Sequence, residues 1–250
     1  MVWEPRRYRQ GVDPAGLVTF EVVHGETDLQ VSALTDCSAE AAAAVAVVRA
    51  ELEAYIGMHP RFAESFVPVE AEPGAPAIVR AMAAAGAAAC VGPMAAIAGA
   101  VAEHVARALQ PFSPEVLVEN GGDLYVVGTA PRRVLLLAGD SPLSGRLAIE
   151  LAAASLPCAV CTSSGKVGHS VSLGTAHAVT VVAPSGAIAD AAATAAGNLV
   201  HGPDDVGRAL ARALEVPGVR GAVIVEDELI GALGDVTLAP GGVPEERGEG

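Results

Sequence analysis

The sequence predicts an α+β fold, with mixed sheets and helices arranged as two related structural units around a shared cleft. Three observations predict it. Runs rich in Val, Leu and Ile, each of strand length, alternate with Ala-rich segments of helical length along the chain. The segment VGPMAAIAGAVAEHV (91–105) aligns without gaps to VAPSGAIADAAATAA (182–196), with Val, Pro, Ala-Ile-Ala and Ala recurring in place. Each copy is followed by a strand pair, EVLVENGGDLYVV (115–127) and GAVIVEDELIGALG (221–234). The units run over about 76–130 and 175–235, each a strand, a helix and a hairpin, within a single domain over 1–240. Chance similarity of two Ala-rich stretches is the competing reading.

From the N-terminus, LVTFEVV (17–23) and LQVSAL (29–34), separated by HGETD, read as a hairpin. SAEAAAAVAVVRAELEAYIG reads as a helix of about five turns opening on Ser38 as its cap, with Arg49 and Glu53 on a solvated face. A long Pro-rich connection (58–76) precedes a second short helix in APAIVRAMAAAGAAA. RRVLLLAG (132–139) and GRLAIEL (145–151) read as strands around a DSPLS turn, AHAVTVVAP (176–184) as another strand, and LARALEVPG (209–218) as a closing helix. The end of the chain, GGVPEERGEG (241–250), reads as a disordered tail.

Composition narrows the function classes. A formal net charge of −14 argues against nucleic acid, whose phosphates nothing here would neutralise, and against an anionic membrane surface. No uninterrupted apolar stretch reaches spanning length, and MVWEPRRYRQ does not read as a signal peptide, so the expectation is a cytoplasmic protein. RRYR (6–9) is either a contact for an acidic ligand or partner or a solvated positive tail. The Ala-rich helix faces suit a core or a homodimer equally. Cys37, Cys90, Cys158 and Cys161 read as free thiols; Cys158-Ala-Val-Cys161 has redox-motif spacing without a helix signal after it.

An acidic protein holds a phosphorylated small molecule only with local help from backbone N–H groups, a few cations or a metal ion. Three places offer it. Gly121-Gly122 lets the chain turn tightly and bring N–H groups near a ligand, or is simply a turn. CTSSGKVGHS (161–170) holds the single lysine, Lys166, between glycines, which suits an anion or an ordinary solvated loop. The repeat places Asp190 opposite Gly99 and Thr194 opposite Glu103. Asp190 and Thr194, four apart, lie on one helix face as a partial oxygen set for Mg²⁺, or as an ordinary acidic helix start and a Thr bonded back to a carbonyl. His169 and His59 are open between structural and cleft roles; His24, His104, His177 and His201 have no supporting spacing.

VGPMAAIAGAVAE, EVLVENGGD, AGDSPLSGR, CTSSGKVGHS and IADAAATAAGN in this order resemble the UPF0280 family over nearly the whole chain. That family is a branch of the ApbE superfamily, whose well-studied members are FAD:protein FMN transferases. The resemblance implies an ApbE-like fold and three site segments. VENGGD is similar to the strand-turn segment that approaches the flavin nucleotide, implying Asn120, Gly121, Gly122 and Asp123. TSSG resembles the substrate loop, implying Thr162, Ser163, Ser164 and Gly165, with Lys166 and His169 beyond. IADAAAT is similar to the helix start whose Asp and Thr bind Mg²⁺, implying Asp190 and Thr194, with a carbonyl near Ala98 or Gly99 completing the set. The transferases' His-x-x-Asp-Pro-x-Thr-Gly segment is replaced here by GKVGHSVSLGTA.

The function implied is Mg²⁺-assisted transfer or hydrolysis on a flavin (FAD or FMN) or another small phosphorylated nucleotide-like ligand. In it Lys166 or Arg146 neutralises phosphate, and His169 or Asp123 acts as the catalytic base. The alternative is a non-catalytic flavin- or nucleotide-binding or carrier protein that uses the same cleft.

Overall fold

The computed structural model of the chain describes Arg9, Pro14 and residues 16–165 and 174–241. Eight strands form one sheet in the order β1-β2-β3-β4-β7-β8-β9-β10, with every neighbouring pair antiparallel. The strands are β1 Val18–His24, β2 Thr27–Ala33, β3 Val116–Asn120, β4 Asp123–Val127, β7 Cys158–Ser163, β8 Ala178–Ala183, β9 Gly221–Glu226 and β10 Leu229–Gly234. Three further strands, β5 Arg132–Leu135, β6 Leu147–Leu151 and β11 Thr237–Pro240, make a small second sheet in the order β11-β6-β5. The helices are α1 Ser38–Met58, α2 Arg61–Glu64, α3 Ala77–Ala89, α4 Ile97–Leu109, α5 Gly186–Gly197 and α6 Val206–Glu215.

Side-chain alternation sorts the central strands into two faces. Val118, Tyr125, Cys161, Val181 and Ile224 join the core shared with the helices. Their neighbours Leu117, Leu124, Val160, Val182 and Val223 join a second core closed by Val134, Ile149 and Leu151 of the small sheet. The result is three layers, helices on sheet on sheet, and it explains why these strands read as continuous apolar runs.

α4 and α5 cross at glycines. A Cβ on Gly99 would stand 2.2 Å from the Gly186 carbonyl oxygen, and one on Gly186 would stand 2.1 Å from that of Gly99. The sequence supplies no side chain at either point, so the backbones touch. The alanines of α5 let it sit among α3, α4, β7 and β8 at once, with Ala187, Ala189, Ala191, Ala192, Ala193 and Ala196 buried.

Several sequence expectations take a different form. The α1 N-cap is Cys37, and Asp36 Oδ1 accepts the Ser38 N–H at 2.9 Å, so the acidic side chain two residues earlier does the work assigned to Ser38. Arg49 does pair with Glu53, at 2.6 Å, but its guanidinium also covers Gly25. The Pro-rich connection holds the short helix α2. A strand, β8, leads into α5, whereas helix α3 and a 3₁₀ turn (Pro93–Ala96) lead into α4. Of the tail expected as disordered (241–250), Gly241 instead donates its N–H to the Arg146 carbonyl at 2.7 Å, and residues 242–250 lie outside the described residues. Among the described residues no single helix is long and apolar enough to cross a membrane.

Candidate functional site

The β3–β4 hairpin turns on Gly121 and Gly122, at φ +64° and +104°. A two-residue hairpin loop with both residues at positive φ favours glycine, which alone adopts it without a Cβ penalty. A Cβ would meet nothing within 4 Å at either position, so the turn faces open space. The Gly122 N–H is nevertheless engaged: it donates to Glu119 Oε1 at 2.7 Å. Asn120, the last residue of β3, donates from Nδ2 to the Ala98 carbonyl at 3.1 Å and so ties the hairpin to the start of α4.

Asp123 opens β4 on the same face as Tyr125, toward the helices, and is buried. Its Oδ1 accepts the Thr162 N–H at 2.9 Å. Its carboxyl shares a hydrogen bond with that of Asp190 in the first turns of α5. Asp190 accepts the Gly99 N–H at 3.0 Å, as well as that of Ala98, so it caps the start of α4 from the neighbouring helix. Glu103 on α4 does the same in return: its Oε2 accepts the Gly186 N–H at 2.7 Å and the Ser185 hydroxyl at 3.0 Å. The crossing thus makes Gly186 the counterpart of Gly99 and Asp190 the counterpart of Glu103, each acid capping the other's helix, one helical turn away from the linear alignment.

Two carboxyls in contact inside the protein cannot both ionise cheaply. Burial pushes Asp190 up to about 7, against the pull of the Gly99 N–H, the Asp123 carboxyl and the Ala98 N–H. Burial pushes Asp123 well above the ordinary carboxylate range, and the negative charge of Asp190 adds to it. Near neutral pH the pair therefore holds a proton. The Cys161 thiol donates to the Gly186 carbonyl at 3.7 Å, and burial first, then the nearby Asp123 and Asp190 charges, raises its pKa. It is an un-ionised neighbour of the carboxyls.

The TSSG segment divides. Thr162 and Ser163 end β7; the Thr162 hydroxyl lies 2.9 Å from that of Thr180 on β8, and Ser163 is buried against Gly197. Ser164 is half-buried and Gly165 exposed. The space a Gly165 side chain would fill is taken by the Gly174 carbonyl oxygen, 2.1 Å from a Cβ, so this glycine is required by its own chain. Lys166 and His169 lie outside the described residues. Thr194 is half-buried one turn beyond Asp190 on α5. The structure thus brings Asn120, Asp123, Thr162, Asp190 and Ala98 into one connected set, with the Gly121-Gly122 turn beside it.

Among the described residues no group of three or more His, Cys, Asp or Glu side chains is placed to hold a metal ion. A Mg²⁺ site of the kind the sequence suggests would rest on one carboxylate, Asp190, with the Thr194 hydroxyl and the Ala98 carbonyl, and that carbonyl accepts from Asn120 Nδ2. Elsewhere, His59 stacks on Tyr55 with ring centroids 4.3 Å apart. His177, which carried no sequence signal, is buried with Nε2 3.3 Å from Asp140 Oδ1 and Nδ1 3.3 Å from Glu226 Oε2. Glu119 and Glu103 were also missed as structural anchors of the site. For Glu119 the signal was its place three residues before Gly122 in VENGGD.

Comparison with solved structures defines the class. A mutant of the flavin transferase ApbE from Vibrio cholerae matches with a TM-score of 0.57 at 14% identity, over 87% of this chain and 97% of that one. The apo flavinyl transferase ApbE of Pseudomonas stutzeri matches with a TM-score of 0.55 at 15% identity, over 87% and 94%. At that identity the likeness is one of fold: this is an ApbE-type fold.

The family "AbpE bacteria" matches residues 9–227. UPF0280 protein MK0206 of Methanopyrus kandleri is 42% identical over 87% of this chain and 91% of its own length, and UPF0280 protein MJ1526 of Methanocaldococcus jannaschii is 43% identical over 75% and 78%. The chain belongs to the UPF0280 family.

Proposed function

We propose that the chain binds a small phosphorylated nucleotide-like ligand, with a flavin nucleotide as the leading candidate, together with a divalent cation at the Asp123–Asp190 pair, and transfers or hydrolyses a phosphoryl-linked group. The observation that carries this reading is the meeting of the buried Asp123 carboxyl and the half-buried Asp190 beside an open double-glycine turn. The charges acting on Asp123, those of Asp190 and Glu119, are both negative. Such a pair holds a proton where a cation would otherwise sit. Hard oxygen donors suit Mg²⁺, and those at hand are Asp190, Asp123, the Thr194 hydroxyl and the Ala98 carbonyl once Asn120 releases it. When bound, the ion would screen ligand phosphate from an acidic protein and polarise a phosphoryl oxygen.

The chain's own residues supply the rest. Gly121-Gly122 leaves room for a ligand to approach the backbone. Asn120 ties the hairpin to the start of α4, and the Thr162 N–H fixes Asp123. A proton displaced from the carboxyl pair passes to solvent or to a base. His169, which lies between Gly165 and Gly174 in the sequence, is the candidate base outside the pair. Flavin as the ligand rests on the fold shared with proteins that are flavin transferases.

A second reading is favoured by one observation: GKVGHSVSLGTA stands where the transferases carry the Asp-Pro-x-Thr-Gly segment. It keeps the ligand and the cation but makes the protein a binder or carrier. Calorimetric titration with FMN and FAD, with and without Mg²⁺, followed by product analysis, tests both. Mg²⁺-dependent binding lost in Asp190→Asn supports the proposal, and turnover then separates enzyme from carrier. Flat titrations for both flavins under both conditions would overturn the flavin reading.

A further inference from the structure

The α4–α5 crossing repeats itself about its middle. Gly99 lies against the Gly186 carbonyl oxygen and Gly186 against that of Gly99. Four residues on from each glycine stands an acid: Glu103 accepts the Gly186 N–H at 2.7 Å, and Asp190 accepts the Gly99 N–H at 3.0 Å. Four residues further, the same spacing makes Thr194 of α5 the counterpart of Arg107 of α4. The two copies match at the glycine and at the acid, and they differ at the third place.

A spacing of four keeps acid and third residue on one helix face. In α4 the third residue is a cation: Arg107 Nε reaches Glu103 Oε1 at 2.9 Å, and Nη2 reaches the Tyr125 hydroxyl at 2.9 Å. In α5 it is Thr194, which brings a hydroxyl and no charge. β4 packs against both helices. It presents Tyr125, a phenol, to Arg107; two residues earlier, on the same face, it presents Asp123 to Asp190. One copy thus joins an acid to an arginine, and the other joins two acids. Among the described residues no arginine pairs with Asp190 or Asp123. Arg9, the last arginine of RRYR, pairs with Glu21 and Asp28 instead, while Arg6, Arg7, Tyr8 and Lys166 lie outside the described residues.

We infer that Arg107 is the resident cation of one copy of this arrangement, and that Thr194, in the matching place, leaves the other copy to be completed by a cation from solution. The inference rests on the reading of the Asp123–Asp190 pair as a cation site and adds what decides which copy takes the ion. A guanidinium on the chain closes the first copy to ions. A short hydroxyl side chain beside two carboxyls keeps the second open to a hard cation.

The test compares wild type, Thr194→Arg, Thr194→Met and Arg107→Met by thermal melting at one pH, with chelator or with millimolar Mg²⁺. Met matches Arg roughly in length without its charge. In chelator Thr194→Arg should melt about 2–4 °C above Thr194→Met, the shift of one ion pair in a chain of this length. Mg²⁺ should raise the wild-type Tm and leave that of Thr194→Arg unmoved. Arg107→Met should melt lower than wild type and keep the Mg²⁺ shift. Equal melting of the two position-194 variants in chelator, a Mg²⁺ shift kept in Thr194→Arg, or one lost in Arg107→Met overturns the inference. A wild type that Mg²⁺ does not shift fails the divalent-cation reading, while the Arg–Met comparison still decides whether position 194 is a cation's place. Should neither position-194 variant fold, Arg107→Met, at a half-exposed side chain, decides alone by keeping or losing the Mg²⁺ shift.

Discussion

Asp190 and Asp123, carried by a helix and a strand far apart in the sequence, share a hydrogen bond inside the protein, and each is also held by a backbone N–H: Gly99 for Asp190 and Thr162 for Asp123. The carboxyls are positioned as tightly as a core contact, yet they are acids in a place that disfavours their charge.

Stability should therefore depend on pH, with a definite sign. Both groups have folded-state pKa values above the ordinary value of 3.8, Asp190 at about 7 and Asp123 well raised, so the native state binds more protons than the unfolded one. Their contribution is intact below about pH 4 and is lost as pH rises through 7 and beyond. In chelator-treated buffer the Tm should fall between pH 5 and pH 8. Asp123→Asn should flatten that slope; an unchanged slope in the variant would show that other groups set it.

The α4–α5 crossing should resist any side chain. Gly99→Ala brings a methyl against the Gly186 carbonyl and should cost about 1–3 kcal/mol as overpacking. Gly207→Ala, on an exposed turn of α6 with nothing within 4 Å, should instead stabilise by up to about 1 kcal/mol through helix propensity. Chemical denaturation of the two variants against wild type measures both.

Thiol chemistry should separate the four cysteines. Cys90 is exposed, while Cys37, Cys158 and Cys161 are buried. Burial holds Cys158 up at about 11, and Cys161 is raised by burial and by Asp123 and Asp190. Native protein should give one rapidly reacting thiol and unfolded protein four. Rapid native alkylation of Cys161 would contradict the packing of the site.

Much of this architecture could be read from the chain because its strands are short, apolar and bounded by turn residues. The 17–34 hairpin and the 115–127 and 221–234 strand pairs fall within a few residues of the observed elements. β7 escaped because CAVCTS mixes small and hydroxyl residues with only one Val, and its burial comes from neighbours on both faces. β11 escaped because TLAP has no strand pattern without its partner β6.

At the site, Asp190, Asp123, Asn120 and the glycines stood out by residue type, but their contacts did not. The proton shared between Asp123 and Asp190 depends on burial, which a sequence does not display. Glu119 and Glu103 serve the site through bonds to backbone N–H groups, which leave no repeat or spacing behind.

The Asp123–Asp190 pair is proposed to exchange its proton for a divalent cation, and calorimetric titration of Mg²⁺ at pH 6.5 in two buffers of different ionisation enthalpy tests this most directly. The expected result is saturable binding with net proton release, abolished in Asp190→Asn. No binding at this pH or at pH 8, or binding that Asp190→Asn leaves intact, would contradict it.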